Sequence, residues 1–154
     1  YEQAGIPPGE IEAKAGAWSS SGKGGTFDEA VIRTFRERAK TLRELAQNSR
    51  FLFRVRIDYD PQAVEKHLRP QALTHLREVH GRLQGTSPFD AATLERLYRD
   101  FAAERTLKLG DVAQPTRVAV TGGSVSPPLF LVMELAGREI CLERLATVLE
   151  RGAA

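Results

Sequence analysis

Arg117 has the most pointed chemical surroundings in this 154-residue sequence. It lies in an apolar segment, Val112 to Val120. It is followed by a Thr121-Gly122-Gly123 turn, by hydroxyls at Ser124 and Ser126, and by the ring of Phe130. A guanidinium fork, small hydroxyls and an aromatic face in one loop are the groups that read splayed bases of single-stranded RNA, by stacking and by hydrogen bonds to exposed base edges. A purely structural role competes with this: Ser126 and Pro127 as N-cap and first position of a helix, with Leu129 and Phe130 filling core.

Charge gives the second signal. Between positions 33 and 56 the chain carries Arg33, Arg36, Arg38, Lys40, Arg43, Arg50, Arg54 and Arg56 against only Glu37 and Glu44. Arg36 and Lys40 are spaced as i, i+4 neighbours, and Arg36 and Arg43 are seven apart, so on one helix they share a face. This local excess is hidden in the total, where 22 Lys and Arg meet 20 Asp and Glu for a net charge of +2. Such a patch is either a solvated helix face with local pairs or a surface for a polyanion, and phosphate contacts of that kind carry affinity but no sequence information.

Catalysis finds no comparable support. His75 and His80 are five apart, unlike the i, i+4 spacing of a helical zinc pair, so His67, His75 and His80 are expected at the surface or the edge of the core. Cys141 stands among Ile140, Leu142 and Leu145 and is expected as a buried small hydrophobe. Ser21 to Thr26 lacks the Gly-x-x-x-x-Gly-Lys order of a phosphate-cradling loop and is expected to be linker. Asp60 before Pro61 is explained as a helix cap, and neither it nor Asp58 is assigned acid–base work. No catalytic residue and no metal ligand is assigned.

The elements that can be assigned around these groups are helices, while Val112 to Val120 is expected as a short apolar segment after a turn at Gly110. Residues 1–26, with eight glycines and prolines to Gly25 and three serines, are expected as a loop-rich linker carrying at most a short helix near 10–17. Thr26 followed by Asp28 and Glu29 starts a helix over about 27–48, with Val31, Phe35, Leu42 and Leu45 on its apolar face. Phe51 to Ile57 is expected as a helix end running into an extended connector. Asp60-Pro61 opens a short helix that stops before Pro70, and another follows with Leu73, Leu76, Val79 and Leu83 on one face. Asp90 and Ser87 are alternative caps for a helix to about Arg105. Ser126-Pro127 is expected to start a helix through Leu135, and Ile140, Leu142, Leu145, Val148 and Leu149 pattern a last helix ended by Gly152. The expected fold is all-α, with a linker over 1–26 and two helical subdomains over 27–105 and 106–154. No apolar run reaches membrane-spanning length. A single cysteine excludes an internal disulfide and fits a reducing, cytoplasmic setting. A chain that opens on Tyr1 with no leader-like segment is expected to be part of a longer polypeptide.

The run Asp111-Val-Ala-Gln-Pro-Thr-Arg117-Val-Ala-Val-Thr121-Gly-Gly-Ser-Val-Ser126-Pro-Pro-Leu-Phe130 resembles the C-terminal anticodon-binding region of bacterial-type glutamyl-tRNA synthetases, a class I aminoacyl-tRNA ligase family. Upstream, Arg36 to Leu45, Phe51-Leu-Phe53 and Asp58-Tyr-Asp60 resemble the same region in the same order, so the likeness covers about Phe27 to Arg151. It implies two small helical subdomains forming an α-helical cage around the anticodon loop of glutamate tRNA. By the same resemblance Arg117 would hydrogen-bond a base edge, Ser126, Pro127, Leu129 and Phe130 would line the loop and helix start, and Arg36 or Arg38 would face the last anticodon base. Lys40, Arg43 and Lys108 are the candidates for phosphate contacts. Pro128 departs from the glycine usual in the family and stiffens the loop. The family's ATP-handling signatures are absent here, which places ATP, magnesium and the attachment of glutamate in a catalytic domain of the parent polypeptide. A helical DNA-binding domain and a protein-interaction bundle are the rival readings; the acidic residues Glu139, Glu143 and Glu150 on the last helix make it a poor fit for a DNA groove.

Overall fold

The computed structural model describes residues 1–153, and among these the secondary structure is entirely helical. The all-α expectation therefore holds. The chain divides into two compact units between Ile57 and Asp58. This differs from the expected division at 26/27 and 105/106, for two physical reasons. Residues 1–26 supply core to the first unit, where Ile6 and Trp18 are 1% and 7% exposed. The last helix packs on helices from both sides of position 105, so no core boundary falls there.

The first unit contains α1 (Pro8–Ser20), α2 (Phe27–Phe35) and α3 (Leu42–Asn48), with single 3-10 turns at Arg36–Arg38 and Arg50–Leu52. Thr26 caps α2 as expected, its Oγ1 accepting from the Glu29 amide at 3.1 Å. The continuous helix expected over 27–48 is broken: Ala39 is extended at φ −137°, ψ 135°, and Thr41 starts a new helix by accepting from the Glu44 amide at 3.1 Å. Glu44 Oε2 in turn accepts from the Lys40 amide at 2.7 Å, so two donors are satisfied at the restart. A helix through the break would have put Leu42 on the face of Phe35, seven residues earlier. Instead Phe35 is buried and Leu42 is 79% exposed. The core is aromatic, with Phe27 edge-on to Trp18 at 6.0 Å and to Phe53 at 5.7 Å. Arg50 ties the N-terminal residues to it, Nε donating to the Ala4 carbonyl at 2.9 Å.

The second unit contains α4 (Pro61–His67), α5 (Pro70–Gln84), α6 (Ala91–Glu104), α7 (Leu109–Thr121), α8 (Leu129–Ala136) and α9 (Arg138–Ala153). Asp60 caps α4 with Pro61 at its first position, and of the two alternatives Asp90 caps α6, accepting from the Thr93 amide at 2.9 Å. The segment around Arg117 is a full helix, α7, which tolerates Pro115 in its interior. The start expected for α8 at Ser126-Pro127 moves to Leu129. Pro127 precedes Pro128, and a residue before proline is driven out of helical geometry, so the helix opens only after Pro128 at φ −48°, ψ 129°. Gly152 does not end α9; it lies inside the helix against Leu73, where even a methyl group would collide with a Leu73 methyl.

The core of this unit runs through Leu76, Val79, Leu83, Leu94, Phe101, Val118, Met133 and Leu145, all buried. Tyr98 is fully buried within it. Its hydroxyl lies 2.9 Å from Thr116 Oγ1, whose single hydrogen is directed at the Val112 carbonyl 2.9 Å away, so Tyr98 is the donor of the pair. Burial holds the phenol's pKa above its ordinary value. Among the described residues no helix is long and apolar enough to cross a membrane.

Tyr98→Phe is expected to cost about 1–2 kcal/mol, read by denaturant unfolding, because it deletes one buried hydrogen bond and leaves the ring packing intact. Gly122 closes α7 at φ +89°, and a Cβ there would lie 2.2 Å from the Asp58 carbonyl oxygen. Gly122→Ala is therefore expected to cost roughly 2 kcal/mol or more. Gly123→Ala, with open space around it, is expected to stay within about 1 kcal/mol.

Candidate nucleic-acid interface

The geometry at Arg117 follows from its place in the last turns of α7. Its Nε donates to Ser126 Oγ at 2.9 Å, and its Nη1 donates to Gln114 Oε1, one turn earlier on the same helix. Ser126 Oγ spends its own hydrogen on the Pro127 carbonyl at 2.7 Å. The hydroxyl is thus oriented with its lone pairs toward the guanidinium, and two acceptors nine residues and three residues away define the plane of the fork.

The turn between them is fixed from within. Thr121 Oγ1 lies 2.8 Å from the Arg117 carbonyl and 3.1 Å from that of Gly123, and it accepts from the Gly123 amide at 3.2 Å. It is also fixed from outside. The Tyr59 hydroxyl donates to the Ala119 carbonyl at 2.8 Å, and Arg144 Nη1 donates to the Val120 carbonyl at 2.9 Å. Arg144 is 8% exposed. Burial pushes its pKa below the ordinary value, with the nearby Tyr59 opposing the shift, and burial raises that of Tyr59 against the charges of Arg144 and Arg151.

The other candidates divide by burial. Pro127 is buried and Leu129 is 3% exposed, so both are turned into the core, which places them under the loop rather than on its surface. Phe130 is partly exposed, its ring 5.3 Å from that of Tyr98, and Ser126 is partly exposed as well. Lys108, at the N-terminus of α7, is exposed, and its amide donates to Asp111 Oδ2 at 3.0 Å. In the first unit Arg36, Arg38, Lys40 and Arg43 are all exposed. The shared helical face expected for Arg36, Lys40 and Arg43 does not form, because the 3-10 turn and the extended Ala39 separate them. Arg36 and Arg38 instead lie on one short turn, joined to α3 where Asn48 Nδ2 donates to the Arg38 carbonyl at 3.1 Å.

Gln114, Tyr59 and Arg144 were missed by sequence reasoning. Gln114 was detectable, since i, i+3 pairing with Arg117 follows once the segment is read as a helix. Tyr59 and Arg144 act on backbone carbonyls 60 and 24 residues away, for which the sequence carries no local signal. His75 lies at the edge of the core, as expected: the residue is half-buried, both ring nitrogens are buried without a hydrogen-bond partner, and the ring lies edge-on to Phe101 at 6.0 Å. Cys141 is buried as expected, its Sγ 3.7 Å from the Met133 carbonyl. Among the described residues no group of three or more His, Cys, Asp or Glu side chains converges to hold a metal.

Comparison with known proteins agrees with a nucleic-acid reading. The chain is 38% identical over 120 residues to a glutamate–tRNA ligase of Thermodesulfovibrio yellowstonii, covering 78% of this chain and 26% of that protein. It is 47% identical over 114 residues to a glutamate–tRNA ligase of Rhodopseudomonas palustris (strain HaA2), covering 72% and 24%. The chain thus spans about a quarter of the length of the curated relatives it matches. Among solved structures it resembles a glutamate tRNA ligase from Elizabethkingia meningosepticum, with a TM-score of 0.75 at 21% identity over 92% of this chain and 29% of that one. A glutamate-tRNA synthetase from Elizabethkingia anophelis gives 0.69 at 22% identity, over 79% and 23%. At these identities the structural likeness speaks for the fold. The matches do not favour the DNA-binding and protein-interaction alternatives. The family model described as "Anticodon binding domain" matches residues 13–149, which takes in the turn at Arg36, the whole of α7 and the Ser126 loop, and by that match the chain belongs to the anticodon binding domain family.

Proposed function

We propose that this chain binds the anticodon loop of glutamate tRNA as part of a glutamate–tRNA ligase, with Arg117 hydrogen-bonding one base edge. The observation that carries the reading is the hold on the guanidinium by Ser126 and Gln114. A planar donor fork whose orientation is set before RNA arrives loses little entropy on binding and discriminates between donor and acceptor patterns on a base. Phe130 offers a ring for stacking, whereas Pro127 and Leu129 act from beneath by shaping the loop. Arg36 or Arg38, exposed on its short turn, is the candidate for the last anticodon base. Lys40, Arg43 and Lys108 would meet phosphates, supplying affinity that fades as salt rises.

The chemistry belongs to the parent enzyme, a cytoplasmic ligase of protein biosynthesis that would use ATP and magnesium to attach glutamate. Anticodon binding would contribute by placing the acceptor end of the same tRNA at the distant active site, so that a contact with a base becomes selectivity in the reaction.

The test is equilibrium binding of this chain to a glutamate-tRNA anticodon stem-loop and to one carrying G as the last anticodon base, at two salt concentrations. The cognate loop is expected to bind more tightly. Arg117→Ala is expected to weaken recognition of the base it meets by about 5- to 150-fold, the equivalent of ~1–3 kcal/mol by analogy with direct readout of DNA bases; this is read with loops substituted singly at each anticodon position. Lys40→Ala, Arg43→Ala and Lys108→Ala are expected to weaken all loops alike, each flattening the plot of log K against log salt by roughly 0.7. Equal loss on every loop for Arg117→Ala would make it a backbone contact and overturn the reading. Salt-insensitive binding, or none at low salt, would overturn the RNA reading as a whole.

A further inference from the structure

The carbonyl groups in the last turn of an α-helix have no donor within the helix. In α7 three of the last four are met. Val118 accepts from the Gly122 amide at 2.8 Å, Ala119 from the Tyr59 hydroxyl at 2.8 Å, and Val120 from Arg144 Nη1 at 2.9 Å. Just beyond the helix, the Gly122 carbonyl accepts from the Asp60 amide at 2.8 Å, and the Asp58 carbonyl occupies the space that a side chain at Gly122 would need. The turn is therefore bracketed on one side by residues 58–60 and on another by α9.

This bracket encloses the two ends of the recognition geometry. Arg117 is tied to it through its own carbonyl, which receives Thr121 Oγ1. Ser126 lies four residues beyond Gly122, at the far end of the same loop. The bond between Arg117 and Ser126 at 2.9 Å exists only while the end of α7 and the loop keep their spacing, and displacement of about 1 Å is enough to degrade a site of this kind. Arg144 also places a cation at the negative end of the α7 dipole. Arg144 is buried, and the Tyr59 hydroxyl is engaged with Ala119, so neither group needs to touch RNA to act.

From these contacts we infer that Tyr59 and Arg144 are positioning residues that set base selectivity through Arg117, by pinning the C-terminal turn of α7. This inference rests on the proposal that Arg117 reads a base. Its prediction separates it from a role in stability alone. A residue that only stabilises the fold shifts the melting temperature and the affinity for all loops together, leaving their ratio unchanged. A positioning residue changes the ratio, and only while Arg117 is present to be positioned.

The experiment measures binding of the full chain to the cognate stem-loop and to the single-base variant that Arg117→Ala shows to be discriminated, with thermal melts of every protein. Tyr59→Phe removes one hydroxyl and keeps the ring; it is expected to retain the fold, the salt slope and binding to the mismatched loop. Selectivity is expected to fall about two- to ten-fold, the worth of one hydrogen bond. Arg144→Gln is expected to reduce selectivity in the same direction and Arg144→Lys to restore part of it. In an Arg117→Ala background Tyr59→Phe is expected to change selectivity no further, the signature of coupled residues. Should Arg144→Gln fail to fold, Tyr59→Phe and the double variant decide alone. If Arg117→Ala abolishes selectivity while Tyr59→Phe leaves it intact, or if the two losses add in the double variant, the inference is overturned and base reading by Arg117 stands. If Arg117→Ala leaves selectivity intact on every loop, base reading itself fails and takes the inference with it.

Discussion

The end of α7 is the constraint on which the geometry around Arg117 depends. A helix leaves its final carbonyls without internal donors, and here those donors come from residues distant in sequence, a phenol before α4 and a guanidinium on α9. The result is a chain reversal held by distant side chains as well as by its own loop. That matters because the loop itself is short of regular structure between Gly122 and Leu129, where two consecutive prolines delay the next helix. A loop with stiff prolines and an anchored start has few conformations to lose when a ligand arrives.

The same logic explains why Pro127 and Leu129 lie in the core while Ser126 and Phe130 retain exposed surface. Burying alternate groups of one short segment fixes its path, so the groups left outside are presented at defined positions. The fully buried Tyr98 extends this support, with its ring against Phe130 and its hydroxyl on Thr116 of α7. One aromatic residue on α6 thus braces both the helix that carries Arg117 and the helix that begins at the loop. Such support comes from shape and satisfied polar groups, with no charge spent on it.

Much of this architecture was legible locally. Thr26, Asp60-Pro61 and Asp90 announced helix starts because a cap is a short-range bond between a side chain and an amide two or three residues on. The break at Ala39 was not legible, since Val31, Phe35, Leu42 and Leu45 keep helical spacing while Leu42 in fact faces solvent. Periodicity reports compatibility with a helix, and Thr41 with Glu44 supplied a competing cap that periodicity does not register. The start of α8 was misplaced because Ser-Pro is a good cap signal whose force is cancelled by the next proline. The division near Ile57 and the burial of Ile6 and Trp18 depend on which helices pack together, a property of no single segment. In the candidate site Arg117 and Ser126 stood out through chemistry and through the family resemblance. Gln114 gives no signal until Val112 to Val120 is given helical geometry, and Tyr59 and Arg144 carry no local mark.

In the proposed reading, affinity and selectivity come from physically different places, and the composition shows why they must. A net charge of +2 on 154 residues gives only a weak field for a polyanion, so attraction has to be local, as at Arg36, Arg38, Lys40 and Arg43. Those side chains are exposed and long, and exposed charges act through a screened potential that does not distinguish one base from another. Selectivity needs a donor whose direction is fixed to within a fraction of an ångström. A surface arginine on a 3-10 turn lacks that restraint from the fold around it, whereas Arg117 has it through Ser126, Gln114 and the pinned end of α7. In this reading, the stability invested in that turn is what converts a common side chain into a reader of one base.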